Sequence, residues 1–340
     1  MKSLSRRTFL KTAAVTATGA TFIPNLLSCS PNNKLNIAVI GVGGRGQANW
    51  EKVTNENIVA MCDVDYSRAS VGFNSIPKTK KFKDFRKMFD EIGKGIDAVI
   101  LSTPDHTHFP AAMEMGKHVY VPKSWRGFFD FGNGMLGDWA CHTLDAPFRA
   151  LNLGMPHTVE TISSNPSPDY SFISDTSKVT FQFGQRDNKV PMKLTWYEGG
   201  EQPGIRPEWK VSKLPESGMI MIGEKKSLIT GGRPNNPCLM VPDDEWNDFL
   251  ENAPEKTIPR TLEEQPQQEW INCIKENTLP GSNFNYSADL TEMILIGVLS
   301  QRFQTKLEYD SDSWKILNRP DLNTYLKEPV REGWIYGENL

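Results

Sequence analysis

Residues 35–46 read LNIAVIGVGGRG. Leu35, Ile37, Val39 and Ile40 form a short apolar, β-branched run of the kind that is buried on both faces of a parallel sheet. Gly41, Gly43 and Gly46 follow at once in the spacing G-x-G-x-x-G. The first permits a tight turn, the second lets a pyrophosphate approach the backbone, and the third lets the next helix pack on the strand. That helix is predicted from about residue 47, its first N–H groups turned toward the phosphates. A second strand over 57–62 runs into Asp63, about twenty residues beyond the loop, the offset at which a carboxylate binds an adenosine ribose. Gly44 and Arg45 complete the loop. Asp63 would repel a 2′-phosphate and so favours NAD over NADP, with Arg45 and Arg68 as the residues that would reverse the preference.

A chain of 340 residues can bury two substantial cores. Its formal net charge of −3 gives no case for a nucleic-acid partner. The basic cluster Lys78, Lys80, Lys81 and Lys83 reads as a solvated loop leading into a helix. Nine Trp and seventeen Phe supply a globular interior and surfaces for stacking on sugar rings. The five cysteines show no C-x-x-C pair, so neither a zinc site nor a disulfide framework is implied.

Residues 1–33 read as a leader and tether. SRRTFLK, residues 5–11, resembles the twin-arginine export signal, and a mild apolar stretch over 12–27 follows. That stretch is too short and too rich in Thr and Ala for a retained membrane span. LLSC, residues 26–29, resembles a bacterial lipoprotein box, so Cys29 is expected to become a lipidated N-terminus, the chain's one link to a membrane. The expected location is the periplasm.

From residue 36 the pattern alternates strand and helix, which argues for a parallel sheet covered by helices. Expected strands cover 57–62, 97–102 and 118–121, and expected helices 47–54, 84–92 and 109–115. Ser102, Thr103, Pro104, Asp105, His106, Thr107 and His108 follow a strand end, where open α/β sheets bind ligands. His106 and His108 are expected to shape the nicotinamide end, with Asp105 or Thr107 capping the next helix. Beyond residue 132 a long helix over 135–153 puts Asp138 and His142 on one face, at i and i+4. Strands over 159–162, 179–183 and 192–196, and a hairpin of 219–222 with 227–230, read as an antiparallel or mixed sheet. An amphipathic helix over 263–276 and a buried one over 288–305 precede a tail, 310–340, expected to lie against the body.

With these landmarks in order, the chain resembles the Gfo/Idh/MocA family of nucleotide-dependent sugar oxidoreductases. The matching segments are GVGGRG, CDVD (62–65), STPDHTH (102–108), GKHVYVPK (116–123), GDWACHTLD (137–145) and PGSNFNYSADLTEM (280–293), the last in the manner of the exported Bacteroidetes-type branch. The resemblance implies a shortened Rossmann-like parallel sheet over 34–124, then a substrate-binding α+β domain with a mostly antiparallel sheet over 125–309. It implies NAD as cofactor, a sugar or glycoside as substrate, and a homo-oligomer. Lys123 would stabilise the developing alkoxide, His142 would take the hydroxyl proton, and Asp138 would bind a neighbouring hydroxyl or orient His142.

The chain departs from the family after Lys123. It runs directly into Ser124, Trp125 and Arg126, and on the order of a hundred residues, two or three βα units, are missing. Either the protein is a natural minimal version or the sequence carries an internal deletion; both leave one sheet edge or face less covered. Three functions follow: NAD-dependent oxidation of a sugar hydroxyl, NAD-assisted glycoside cleavage by oxidation, elimination and reduction, and non-catalytic binding of a saccharide or nucleotide by a lipoprotein. For the leader, mass spectrometry of the exported protein is expected to show a lipid-modified Cys29 at the N-terminus; an unmodified terminus would remove the anchor.

Overall fold

The computed structural model describes residues 34–103, 124–129, 132–164, 166–186, 189–234, 237–255, 261 and 265–327, which divide into two compact units. Among these residues the first unit holds 34–103, 261 and 265–285, and the second holds the rest.

The first unit is a four-stranded parallel sheet, β1 (Asn36–Ile40), β2 (Asn57–Cys62), β3 (Lys80–Phe82) and β4 (Ala98–Leu101), in the order β3-β2-β1-β4. Helices α1 (Arg45–Trp50), α2 (Ser70–Ser75) and α3 (Phe85–Ile92) connect the strands. Alternate residues of β1 enter opposite cores. Ile37 and Val39 pack with Trp50, Val53, Ile58 and Met61, whereas Ala38 and Ile40 pack with Ala60, Cys62 and Met88. Burial on both faces is why this strand lacks polar alternation.

The helix Pro266–Glu276 corrects the contiguous division at residue 125, because it returns to the first unit. Ile271, Trp270 and Ile274 join the cluster of Ile37, Val39 and Trp50. Lys275 Nζ pairs with Glu56 Oε1 at 2.7 Å, and Gln268 Nε2 donates to the Lys52 carbonyl at 2.8 Å. Apolar burial and this ion pair together hold a segment more than two hundred positions away in sequence. The lysine-rich stretch also differs from expectation, since 80–82 forms the edge strand β3. Lysines on an exposed edge discourage pairing with another chain.

Ala98 and Ile100 of β4 are buried but Leu101 is 68% exposed, and among the described residues β4 has a single strand neighbour, β1. The expected helix over 109–115 and strand over 118–121 lie outside the described residues.

The second unit is built on α4 (Gly134–Leu151) and strands β5 (Thr158–Ser164), β6 (Thr176–Phe183), β7 (Met192–Glu198), β8 (Met219–Ile222), β9 (Ser227–Thr230), β10 (Cys238–Leu239), β11 (Leu307–Asp310) and β12 (Lys315–Ile316). Five of them make an antiparallel sheet, β12-β11-β5-β6-β7, and three make a second one, β10-β9-β8. Val179, Phe181 and Phe183 of β6 point into a core shared with Leu136, Ala140, Leu144 and Phe148 of α4 and with the helix Phe284–Phe303. Gly297 of that helix lies so near β6 that an added Cβ would stand 2.4 Å from the Phe181 ring. Beyond β11, Ile316 and Leu322 of the tail enter the same core; Trp334 and Tyr336 lie outside the described residues.

Residues 127–129 are tied into this unit. Phe129 N–H donates to the Ser171 carbonyl at 2.9 Å, and Ile173 N–H donates to the Gly127 carbonyl at 2.8 Å. The Arg302 guanidinium lies 5.4 Å from the Phe129 ring and 5.3 Å from that of Tyr325. No helix among the described residues is long and apolar enough to cross a membrane.

Helix α3 offers a test of local stability. Asp84 caps it, accepting from Arg86 N–H at 2.9 Å, and hydrogen bonding from the Arg86 side chain holds its carboxyl down at about 2. The folded value lies below the ordinary one of about 4, so this stabilisation is complete above that pH and is lost as pH falls through about 2. Asp84→Ala is expected to cost about 1 kcal/mol near neutral pH. In urea melts the gap to the parent protein should narrow from pH 4 to pH 2; a constant gap would contradict the assignment.

Candidate functional site

The glycine loop grows directly out of β1. Gly41 N–H donates to the Cys62 carbonyl at 2.9 Å, and Gly41 then turns the chain at φ +83°, where a Cβ would lie 2.7 Å from the backbone of Ser102. A Cβ at Gly46 would stand 1.8 Å from the Gly41 carbonyl oxygen, and one at Gly43 2.6 Å from the Arg68 carbonyl oxygen. These three glycines are therefore required by close approach within the protein itself. Gly44 differs: it is exposed at φ +57°, and a Cβ there would meet nothing within 4 Å. Here the loop offers open backbone to a ligand.

Asp63, at the end of β2, braces this loop. Its Oδ2 accepts from Val42 N–H at 2.8 Å and from Gly43 N–H at 3.3 Å, while Oδ1 accepts from Asp65 N–H at 3.0 Å. A carboxylate has about four acceptor positions, so capacity for a ribose hydroxyl remains. Trp50 Nε1 donates to the Val42 carbonyl at 3.1 Å, and Ser102 Oγ accepts from Asn49 Nδ2 at 3.0 Å. The loop is thus fixed from α1, β2 and the end of β4 before any ligand arrives. Arg45 and Arg68 are exposed. Burial, and then the charges of Asp63 and Asp84, push the Cys62 thiol up to about 11, which makes it unreactive.

Of the residues expected to hold the nucleotide, Gly41, Gly43, Gly44, Arg45, Gly46, Asp63, Ser102 and Thr103 belong to the first unit. Pro104, His106 and His108 lie outside the described residues, as does Lys123. Asp138 and His142 belong to the second unit, on α4.

Around Asp138 and His142 the structure adds residues the sequence did not signal. Arg126 Nε donates to Asp138 Oδ2 at 3.1 Å, with both side chains about one-third exposed. The exposed His142 ring meets Trp139 edge-on, with centroids 5.3 Å apart and planes at 70°. The Arg233 guanidinium lies 5.4 Å from the Trp139 ring centroid. Trp139 stood inside the GDWACHTLD motif and was legible there as a packing residue at most; Arg233 had no sequence signal, being brought in by the turn after β9.

Comparison with known proteins agrees with this geometry. Residues 35–123 match the model of an oxidoreductase family with an NAD-binding Rossmann fold, the Gfo/Idh/MocA family. Over this segment, about a quarter of the chain, the protein is similar to that family. Two similar proteins are both named glycosyl hydrolase family 109 protein. The one from Shewanella pealeana is 29% identical over 150 residues, covering 35% of this chain, and the one from Solibacter usitatus is 32% identical over 144 residues, covering 36%. The matched stretch spans 33% of each of these relatives. An oxidoreductase domain protein from Kribbella flavida shares the fold, at 14% identity and a TM-score of 0.51, over 81% of this chain and 99% of that one. The α/β fold, a parallel Rossmann-like sheet with a separate antiparallel sheet, is thereby shared with a solved oxidoreductase, and the family model matched by residues 35–123 describes an NAD-binding Rossmann fold.

The brace at Asp63 is open to test. Asp63→Ala strands two loop N–H groups and removes the ribose acceptor, so NADH binding should weaken at least tenfold and the melting temperature should drop. Calorimetric titration and thermal melts read both effects; unchanged affinity would refute the placement of the adenosine ribose at Asp63.

Proposed function

We propose that the protein is an NAD-dependent oxidoreductase that removes hydride from a hydroxyl-bearing carbon of a sugar or glycoside. The observation that carries this reading is the Asp63-braced glycine loop within a segment similar to the Gfo/Idh/MocA family. The residues present fit the dinucleotide: Gly44 leaves room beside the backbone, and Asp63 retains acceptor capacity. When bound, NAD supplies the hydride acceptor.

The chain's own residues would do the rest. Asp63 binds the ribose hydroxyls, and the loop N–H groups beside Gly44 meet the pyrophosphate. His142 takes the proton from the substrate hydroxyl, since an imidazole titrates near neutral pH. Asp138, steadied by Arg126, binds a neighbouring hydroxyl. Lys123 places positive charge where the alkoxide develops. The leader and Cys29 support an exported lipoprotein as the form in which this chemistry takes place.

A second reading is favoured by the names of the two curated relatives, both glycosyl hydrolases. In it the same oxidation, at C3, acidifies the C2 proton; loss of that proton expels the aglycone from C1, water adds to C1 of the resulting enone while a proton returns to C2, and return of the hydride to C3 would restore the alcohol. Both readings need the same loop and the same base. They differ in the fate of the cofactor.

The deciding experiment incubates the mature protein with NAD and a panel of free sugars and nitrophenyl glycosides. Stoichiometric NADH, followed by absorbance, is expected for a dehydrogenase. Aglycone release with catalytic NAD and no NADH accumulation would select the hydrolase. Neither product from any substrate, with NADH still bound, would leave only non-catalytic binding.

A further inference from the structure

The turn after β9 carries Arg233 and is hydrogen-bonded to α4. Thr143 Oγ1 donates to the Gly232 carbonyl at 2.6 Å. Gly232 itself approaches so closely that an added Cβ would stand 3.4 Å from Trp139 Nε1 and 3.0 Å from Ser217 Oγ. The exposed Arg233 side chain is therefore launched from a fixed backbone and lies over the Trp139 ring.

A guanidinium held over an aromatic ring keeps the N–H groups at its edge for another partner, and their fork matches the two oxygens of a carboxylate or phosphate. Asp138, next in sequence to Trp139, would by itself repel such an anion. Arg126 offsets that charge through its ion pair. Among the described residues two guanidinium groups border the face made by Asp138, Trp139 and His142, that of Arg126 on Asp138 and that of Arg233 on Trp139, while Asp145, one heptad beyond Asp138, accepts from Tyr286 Oη at 2.6 Å.

We propose that this face of α4 recognises an anionic saccharide, with Arg233 binding a carboxylate or phosphate group on the sugar while Asp138 and His142 meet its hydroxyls. Substrate choice is then set by charge as well as by ring shape. This specificity rests on the oxidoreductase reading for its catalytic meaning, but binding can be measured without NAD or turnover.

Calorimetric titrations of the mature protein at low salt would use glucuronate, galacturonate, glucose 6-phosphate and the neutral sugars glucose and galactose. At least one anionic sugar is expected to bind about tenfold more tightly than its neutral counterpart, and the preferred one identifies the group as carboxylate or phosphate. Arg233→Ala should bring that sugar to the neutral level, and Arg233→Lys should restore part of the difference, because Lys keeps the charge but not the fork. Equal affinities, a preference that survives Arg233→Ala, or no saccharide binding at all would overturn the proposal. Arg233-dependent binding with no NADH or aglycone from the bound sugar would instead sink the catalytic reading and leave this one standing.

Discussion

The contact between the Asp63 carboxylate and the N–H groups of Val42 and Gly43 fixes what the first unit can be. Those N–H groups stand in a turn that has left the β ladder, and without an acceptor they would be short of partners in a half-buried place. Supplying one from the neighbouring strand couples the shape of the loop to the pairing of β1 with β2. The close approach of Gly46 to the Gly41 carbonyl then locks α1 onto the same turn. An aspartate conventionally read as a ribose ligand is also part of the fold, so the binding loop is ordered in advance and less entropy is lost when a dinucleotide arrives.

Most of this was legible because the signals were local. The β-branched run, the glycine spacing and the offset to Asp63 all lie within thirty residues, and beyond residue 157 β6 alternates cleanly between buried and less buried positions. What stayed hidden depended on distance along the chain. The helix Pro266–Glu276 was visible as an amphipathic helix, but nothing in its own sequence says that Ile271 buries against Trp50 and not against the sheet nearest in sequence. Strand β3 was missed because two of its three residues are lysines, which read as solvated loop until pairing with β2 is seen. Arg126 and Arg233 were invisible as site residues, since a lone arginine acquires meaning only from what it lies against.

Residues 127–129 bear on how the second unit is held together. They exchange backbone hydrogen bonds with 171–173, and Phe129 sits against the Arg302 side chain, which also meets Tyr325 from the tail. One cation on the helix Phe284–Phe303 therefore meets both Phe129 and Tyr325, which are far apart in sequence. The five-stranded sheet and its two covering helices share one core. In the first unit the apolar Leu101, at the end of β4, stands exposed.

The orientation of α4 follows from its buried side. Leu136, Ala140, Leu144 and Phe148 recur every fourth residue and all lie in the core. At about 100° per residue, Asp138 and His142 are two positions, or roughly 200°, from that stripe, and so they must emerge on the opposite side. Neither residue needs a special local conformation to be presented to solvent. The apolar repeat alone sets the rotation of the helix, and Pro147, buried among the core residues, removes one N–H from the helix ladder without disturbing that phase. Core packing on one side of α4 and the polar arrangement of Asp138, Trp139 and His142 on the other are consequences of a single periodicity. A substitution that rotated the helix, such as a charge at Ala140, would therefore displace the polar face as surely as it opened the core.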